Sequence, residues 1–311
     1  MNWRVKAAIQ NAVARLPASF SYPTYYWLQR HYGGLRRVNP MARLKAGAEV
    51  CARIQAAGLS PAGATVLEVG TGRRLNMPIA FWLCGADRVV SVDLNRYLKE
   101  ELVRDDLAYI ATHRDDVATA IGSLLKPERL DELVALARTK SWGLPELQHL
   151  CGIGYHAPAD AARLNLPDAS VHVHVSTMVF EHIPEPSIRA ILAEAKRVLV
   201  PGGLLIHCID YSDHFSHGDR SIPPIHFLRF SDAEWSRIAG NRYMYMNRLR
   251  VDDYERLFEA AGHRVIENET SQRPELLELI RSGRLPLDPR FAGRPDRSLA
   301  TTSSWLVARS S

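Results

Sequence analysis

The chain lacks the features that would suit it to an oxidising compartment or to the inside of a membrane. Its 311 residues include four cysteines, Cys51, Cys84, Cys151 and Cys208. They are far apart and form no C-x-x-C pair. This argues against a zinc ribbon or a disulfide framework and leads us to expect reduced thiols in a cytoplasmic protein. No run of about 18 apolar residues occurs, so no membrane-spanning helix is expected. No apolar leader with a small-residue cleavage site is visible, so no secretory signal is expected either. Acids are scarce near the start. Within residues 1–50 only Glu49 stands against Arg4, Lys6, Arg15, Arg30, Arg36, Arg37, Arg43 and Lys45.

What is present is an ordinary globular composition, 46% hydrophobic, with a formal net charge of +5. The excess of positive charge admits an anionic partner without identifying it. The basic start is interleaved with Trp3, Phe20, Tyr22, Tyr25, Tyr26, Trp27 and Tyr32. We read residues 1–60 as a helical arm. Its basic face is either simply solvated or makes peripheral contact with an anionic inner membrane surface. The aromatics from Tyr25 to Tyr32 fit a lid over a substrate.

A glycine is also missing. Thr65-Val66-Leu67-Glu68-Val69-Gly70-Thr71-Gly72 reads as a short strand buried on both faces, running into a glycine turn. A helix is expected over Leu75–Leu83. A second apolar strand, Arg88-Val89-Val90-Ser91-Val92, ends at Asp93, an acid placed to accept both hydroxyls of a ribose. A dinucleotide fingerprint needs a third glycine near a pyrophosphate. Arg73, Arg74 and Leu75 stand there instead, which points to an adenosine without phosphates, such as S-adenosylmethionine.

The rest of the chain supplies the remaining sheet. Residues 96–150 carry helical spacing, as in Leu98, Leu102, Leu107 and Ile110, and read as an insertion of two to four helices. Strands follow at 152–156 and 171–176, then a helix from Pro186 to Leu199. Pro201-Gly202-Gly203 turns into a strand at 204–209. A second insertion covers about 212–250 and is aromatic and basic. A helix at 251–261, a strand at 263–269, a helix at 274–282 and a closing strand at 303–309 complete the chain.

This order resembles the class I S-adenosylmethionine-dependent methyltransferases. The resemblance rests on Leu67-Glu68-Val69-Gly70-Thr71-Gly72, Asp93, Asp160-Ala161 followed by Leu166-Pro167-Asp168-Ala169-Ser170, Phe180-Glu181-His182-Ile183, and Arg197-Val198-Leu199-Val200-Pro201-Gly202-Gly203. It spans residues 64 to 210. It implies an α/β fold: a Rossmann-like seven-stranded, mostly parallel sheet whose last strand is antiparallel. It also implies a methyltransferase domain over 61–311 behind the arm. Glu68, Gly70, Thr71 and Gly72 would wrap the methionine end of the cofactor. Asp93 would hold the ribose, Leu94 would flank the adenine, and Asp160 and Ala161 would line its edge. Ser176 and the residues after it would form the floor. Arg73 or Arg74 would grip the cofactor carboxylate or a substrate phosphate.

More loosely, the arm and insertions resemble methyltransferases that accompany bacterial polysaccharide synthesis. That implies O-methylation of a glycan or other small, anionic acceptor, with a small natural product or lipid as the alternative. A nucleic-acid acceptor is disfavoured. Base-amino methyltransferases place an acid or Asn, then Pro-Pro and an aromatic, where Ser176-Thr177-Met178-Val179 stands here. A sugar hydroxyl needs a general base, and His214, His217 and His182 lie where strands of such a sheet end. Asp213, His214, His217 and Asp219 are also compatible with a divalent metal, although their spacing is not diagnostic. His172 and His174 alternate on a strand and are expected to be packed or satisfied by neighbours.

Overall fold

The computed structural model describes residues 1–139 and 141–311, apart from the side chain of Ala18. Residue 140, within the first expected insertion, lies outside the described residues. In chain order the elements begin with α1 (Trp3–Ala14), α2 (Ala18–His31), α3 (Met41–Ala56), β1 (Thr65–Val69), α4 (Asn76–Leu83) and β2 (Arg88–Val92). Four helices then intervene: α5 (Glu100–Thr112), α6 (Arg114–Ile121), α7 (Pro127–Arg138) and α8 (Leu144–Leu150). The sheet resumes with β3 (Ile153–His156), β4 (Val171–Thr177), α9 (Glu185–Val198) and β5 (Leu199–Asp210). Last come α10 (Asp232–Ala239), α11 (Val251–Ala260), β6 (His263–Gln272), α12 (Pro274–Arg281), α13 (Asp296–Ala300) and β7 (Thr301–Ser310).

The seven strands form one sheet in the order β3-β2-β1-β4-β5-β7-β6. Only β7 runs against its neighbours, pairing antiparallel with both β5 and β6. The expected Rossmann-like fold with an antiparallel last strand is therefore present. Successive strand residues face opposite sides of a sheet, and the core divides accordingly. Val66, Val89, Val173 and Val307 pack with α3, α4 and the inserted helices. Leu67, Val90, Leu205 and Leu306 pack with α9 and α11. On α9 the buried stripe is Ile188, Ile191, Leu192, Ala195 and Val198, the expected i, i+3, i+4 set. Strand β5 starts earlier than expected, at Leu199. Pro201-Gly202-Gly203 does not end the pairing but kinks it, and the register with β4 shifts between Val171 and Val173.

A third apolar cluster lies away from the sheet. Ala7 of α1 joins Phe215, Phe227, Trp235, Met244, Leu276 and Phe291 there. The ring of Trp3 contacts Phe215, His226 and Phe230 at 5.2–6.0 Å between centroids. The N-terminal helix thus docks on the second insertion. No helix among the described residues is long and apolar enough to cross a membrane.

Candidate active site

Parallel pairing brings the carboxyl ends of β1, β2, β4 and β5 to one edge of the sheet, where ligands of open α/β sheets bind. Val69 lies opposite Val92, so the glycine turn and Asp93 emerge side by side. Gly70 has φ +83° and Gly72 φ +76°, the left-handed region that glycine enters without strain. At Gly70 a Cβ would also meet a methyl of Val179 at 2.6 Å. The Gly72 N–H donates to Asp93 Oδ2 at 2.8 Å, and Tyr155 Oη approaches the same oxygen at 3.4 Å. Burial pushes the Asp93 carboxyl up to about 7, against the pull of those two donors. Glu68, also buried, is pushed up to about 7 although Ser91 donates to it.

A crevice of about 450 Å³ opens above this turn. Glu68, Gly70, Thr71, Gly72, Arg73, Arg43, Tyr97, Thr177 and Met178 are among its lining residues. The buried Oγ1 of Thr177 has no hydrogen-bond partner among the described residues. Beside the turn, the Ala159 N–H donates to the carbonyl of Asp93 at 2.8 Å, which holds the loop carrying Asp160 and Ala161 next to the strand end. Leu94 is 69% exposed there. The residues fit the adenosine-sulfonium ligand the turn implied: an acid at the strand end, an exposed apolar side chain beside it, an unsatisfied hydroxyl, and the guanidinium groups of Arg43, Arg73 and Arg74 in the lining.

Two expectations need correction. The Ser176 side chain does not form the floor. It is fully buried and hydrogen-bonded to His207 Nδ1 at 2.7 Å, whereas Thr177, Met178 and Val179 line the crevice. Arg73 and Arg74 part company. Both line the crevice, but Arg74 is held in an ion pair with buried Asp106, whereas Arg73 has no ion pair among the described residues. The set Asp213, His214, His217 and Asp219 is not assembled. Asp213 is buried beside His226, and Asp219 accepts from the Trp3 N–H and from Ser221.

The three candidate histidines do come together. The His214 ring lies 4.9 Å from that of His182 and 4.9 Å from that of His217. Asp210, the last residue of β5, is the common partner of His214 and His217. His214 Nε2 lies 3.1 Å from Asp210 Oδ2 and His217 Nε2 lies 3.6 Å from it. Burial works to raise Asp210, but the His214 and Ser212 hydrogen bonds prevail and hold it below its ordinary value. His182 Nδ1 lies 2.8 Å from the Tyr245 carbonyl, which assigns the proton to Nδ1 and frees Nε2. Ligand atoms of Asp210, His214 and His217 lie within 4.8 Å of one another, as do those of Glu181, His182 and His214. An ion bridging His214 Nε2 and Asp210 would replace the hydrogen bond between them. Met178, at φ +58°, lines both the cofactor crevice and the neighbouring cleft of about 960 Å³ that contains Asp210 and His217.

The strand histidines are packed or satisfied as expected. Burial drives His174 down to about 3, so it is a neutral core residue, and His172 Nδ1 accepts the Thr65 N–H.

A methyltransferase domain family model matches residues 42–268. No curated protein matches the sequence. Among solved structures, the chain is similar to a Bacillus halodurans protein described as a methyltransferase. The two share 16% identity and a TM-score of 0.42, over 84% of this chain and 99% of that one. It is also similar to an S-adenosylmethionine-dependent methyltransferase from Mesorhizobium loti, with 14% identity and a TM-score of 0.43, over 86% and 99%.

Proposed function

We propose that this chain, which belongs to the methyltransferase family, carries out O-methylation of a glycan or glycan-linked acceptor with His214 as general base. The cofactor is S-adenosylmethionine, whose sulfonium supplies an electrophilic methyl group when bound. Methyl transfer is an in-line displacement, so the protein's task is to align the acceptor, exclude water and remove one proton.

The observation that carries the reading is the Asp210–His214 pair at 3.1 Å, set where β5 ends beside the crevice. Ionised Asp210 accepts the Nε2 proton of His214, which leaves Nδ1 as the nitrogen able to take a proton from a hydroxyl. The carboxylate also stabilises the imidazolium that forms. His217 shares Asp210 and hydrogen-bonds Ser212 Oγ at 2.8 Å, a supporting position. On the cofactor side, Asp93 would hold the ribose. Leu94, Asp160 and Ala161 would border the adenine. Glu68, Gly70, Thr71 and Gly72 would enclose the methionine end. A screen with methyl-labelled cofactor over nucleotide sugars, lipid-linked glycans, lipids and RNA tests the acceptor class. Transfer to glycan acceptors supports the reading, and transfer to RNA alone or to lipid alone refutes it.

A further inference from the structure

Three cavities meet at two residues. Arg73 and Tyr97 both line the cofactor crevice. They also line a pocket of about 710 Å³ under α2 and a recess of about 300 Å³ that reaches His182. Tyrosines and arginines dominate the recess. Tyr22, Tyr97, Tyr243 and Tyr245 surround Arg73 and Arg242, and no Asp or Glu lines it among the described residues. Neither guanidinium has a carboxylate within ion-pair distance among the described residues, whereas Arg74, next along the chain, is paired. A ring props each: Arg73 lies 5.4 Å from the Tyr26 centroid and Arg242 lies 5.8 Å from that of Tyr22. Such stacking fixes a planar cation while leaving its N–H edge available.

The wall is built in advance. Tyr25 stacks on Tyr243 at 4.2 Å, and Tyr22 meets Tyr97 and Tyr243 edge-on at 6.0 and 5.9 Å. The Tyr243 hydroxyl is buried with no hydrogen-bond partner among the described residues, a donor without an acceptor. Arg96 and Lys99 line the adjoining pocket, so four cations surround this corner. Two acids beside the adjoining pocket are already engaged: Glu101 accepts from Tyr26 Oη and Asp105 pairs with Arg30. Unmatched positive charge of this size suits a dianion or trianion better than one carboxylate, and a guanidinium matches phosphate oxygens in pairs.

We infer that the recess between Arg73 and Arg242 binds a phosphate or diphosphate of the methyl acceptor, with the acceptor's ring on the tyrosine wall. This rests on the methyl-transfer reading above and names its substrate class. The anion anchors one end of the acceptor while a hydroxyl at the other end faces His182 and His214, whose rings adjoin. Nucleotide-linked and lipid-linked glycans share this chemistry.

The test is calorimetry on the full chain saturated with S-adenosylhomocysteine, titrated with inorganic pyrophosphate, inorganic phosphate or a neutral methyl glycoside. Pyrophosphate should bind more tightly than phosphate, and the glycoside should not bind. Arg242→Gln should weaken pyrophosphate about tenfold, the scale of one charge-assisted hydrogen bond, and leave S-adenosylhomocysteine affinity unchanged. Arg264→Gln, on exposed β6, should change neither. Unaltered pyrophosphate binding by a folded Arg242→Gln protein overturns the site, as does cofactor binding without any pyrophosphate binding. Loss of cofactor binding itself would instead strike the underlying function. A nucleoside diphosphate sugar and phosphatidylcholine vesicles carrying polyprenyl phosphate then separate the two sources by which one shows Arg242-dependent binding. Binding of neither, with pyrophosphate bound, overturns the acceptor assignment.

Discussion

The Gly72 N–H donates to the Asp93 carboxylate at 2.8 Å, tying the glycine turn after β1 to the acid that ends β2. The bond fixes the turn and commits one oxygen of Asp93. Burial makes the charge of that carboxylate expensive to maintain, and the Gly72 N–H offsets part of the cost.

A pH dependence follows for cofactor affinity. The Asp93 carboxyl is pushed up to about 7 by burial, and only its ionised form accepts two hydroxyl protons. S-adenosylhomocysteine should therefore bind more tightly as pH rises, by about tenfold per unit below 7, and level off above it. Calorimetry from pH 5.5 to 8.5 checks this. Flat affinity would remove Asp93 from ribose recognition.

Loss of the general base should separate chemistry from binding. His214→Ala is expected to lower kcat by roughly 10²- to 10⁴-fold, the usual range for a positioned base, with S-adenosylhomocysteine affinity unchanged. Asp210→Asn and His217→Ala should lower it less. Full activity of His214→Ala on its acceptor would direct attention to His182, whose Nε2 is free.

Turnover should survive chelation. Asp210 and His214 are hydrogen-bonded to each other, and the proposed proton removal uses that pair alone, so EDTA is expected to leave the rate unchanged. A loss restored by added magnesium would place an ion among Asp210, His214 and His217.

Glu181 should make stability depend on pH. It is 2% exposed and burial pushes its carboxyl up to about 8, from an ordinary 4.5. The folded state holds that proton more firmly than the unfolded chain, so the stability it lends below pH 4.5 is lost as pH rises toward 8. Glu181→Gln lacks this penalty. In urea melts the variant should gain on the wild type between pH 6 and pH 9, at about 1.4 kcal/mol for each pKa unit involved. An equal difference at both pH values would contradict the assignment.

The sheet was legible because short apolar runs such as Val66–Val69 and Val89–Val92 can be covered only by helices on both faces. Position along a strand was harder to read. His174 and Ser176 share one face of β4, and that face meets His207 rather than the crevice, so period-two parity places Ser176 in the core. The acceptor side was hidden for another reason. Arg73 and Arg242 lie far apart in the chain and meet only because the arm packs on the second insertion, with Tyr25 stacked on Tyr243. No local pattern encodes such a meeting. Asp210 carried a usable signal, an acid at the end of a parallel strand followed by two histidines.

The most direct measurement is a crystal structure of the chain grown with S-adenosylhomocysteine. The account predicts the ribose diol on Asp93, the amino-acid end above Gly70–Gly72, and the sulfur facing Met178 and the histidine cluster. A crevice filled by the protein's own side chains, or occupied by a nicotinamide nucleotide in a parallel soak, would contradict it.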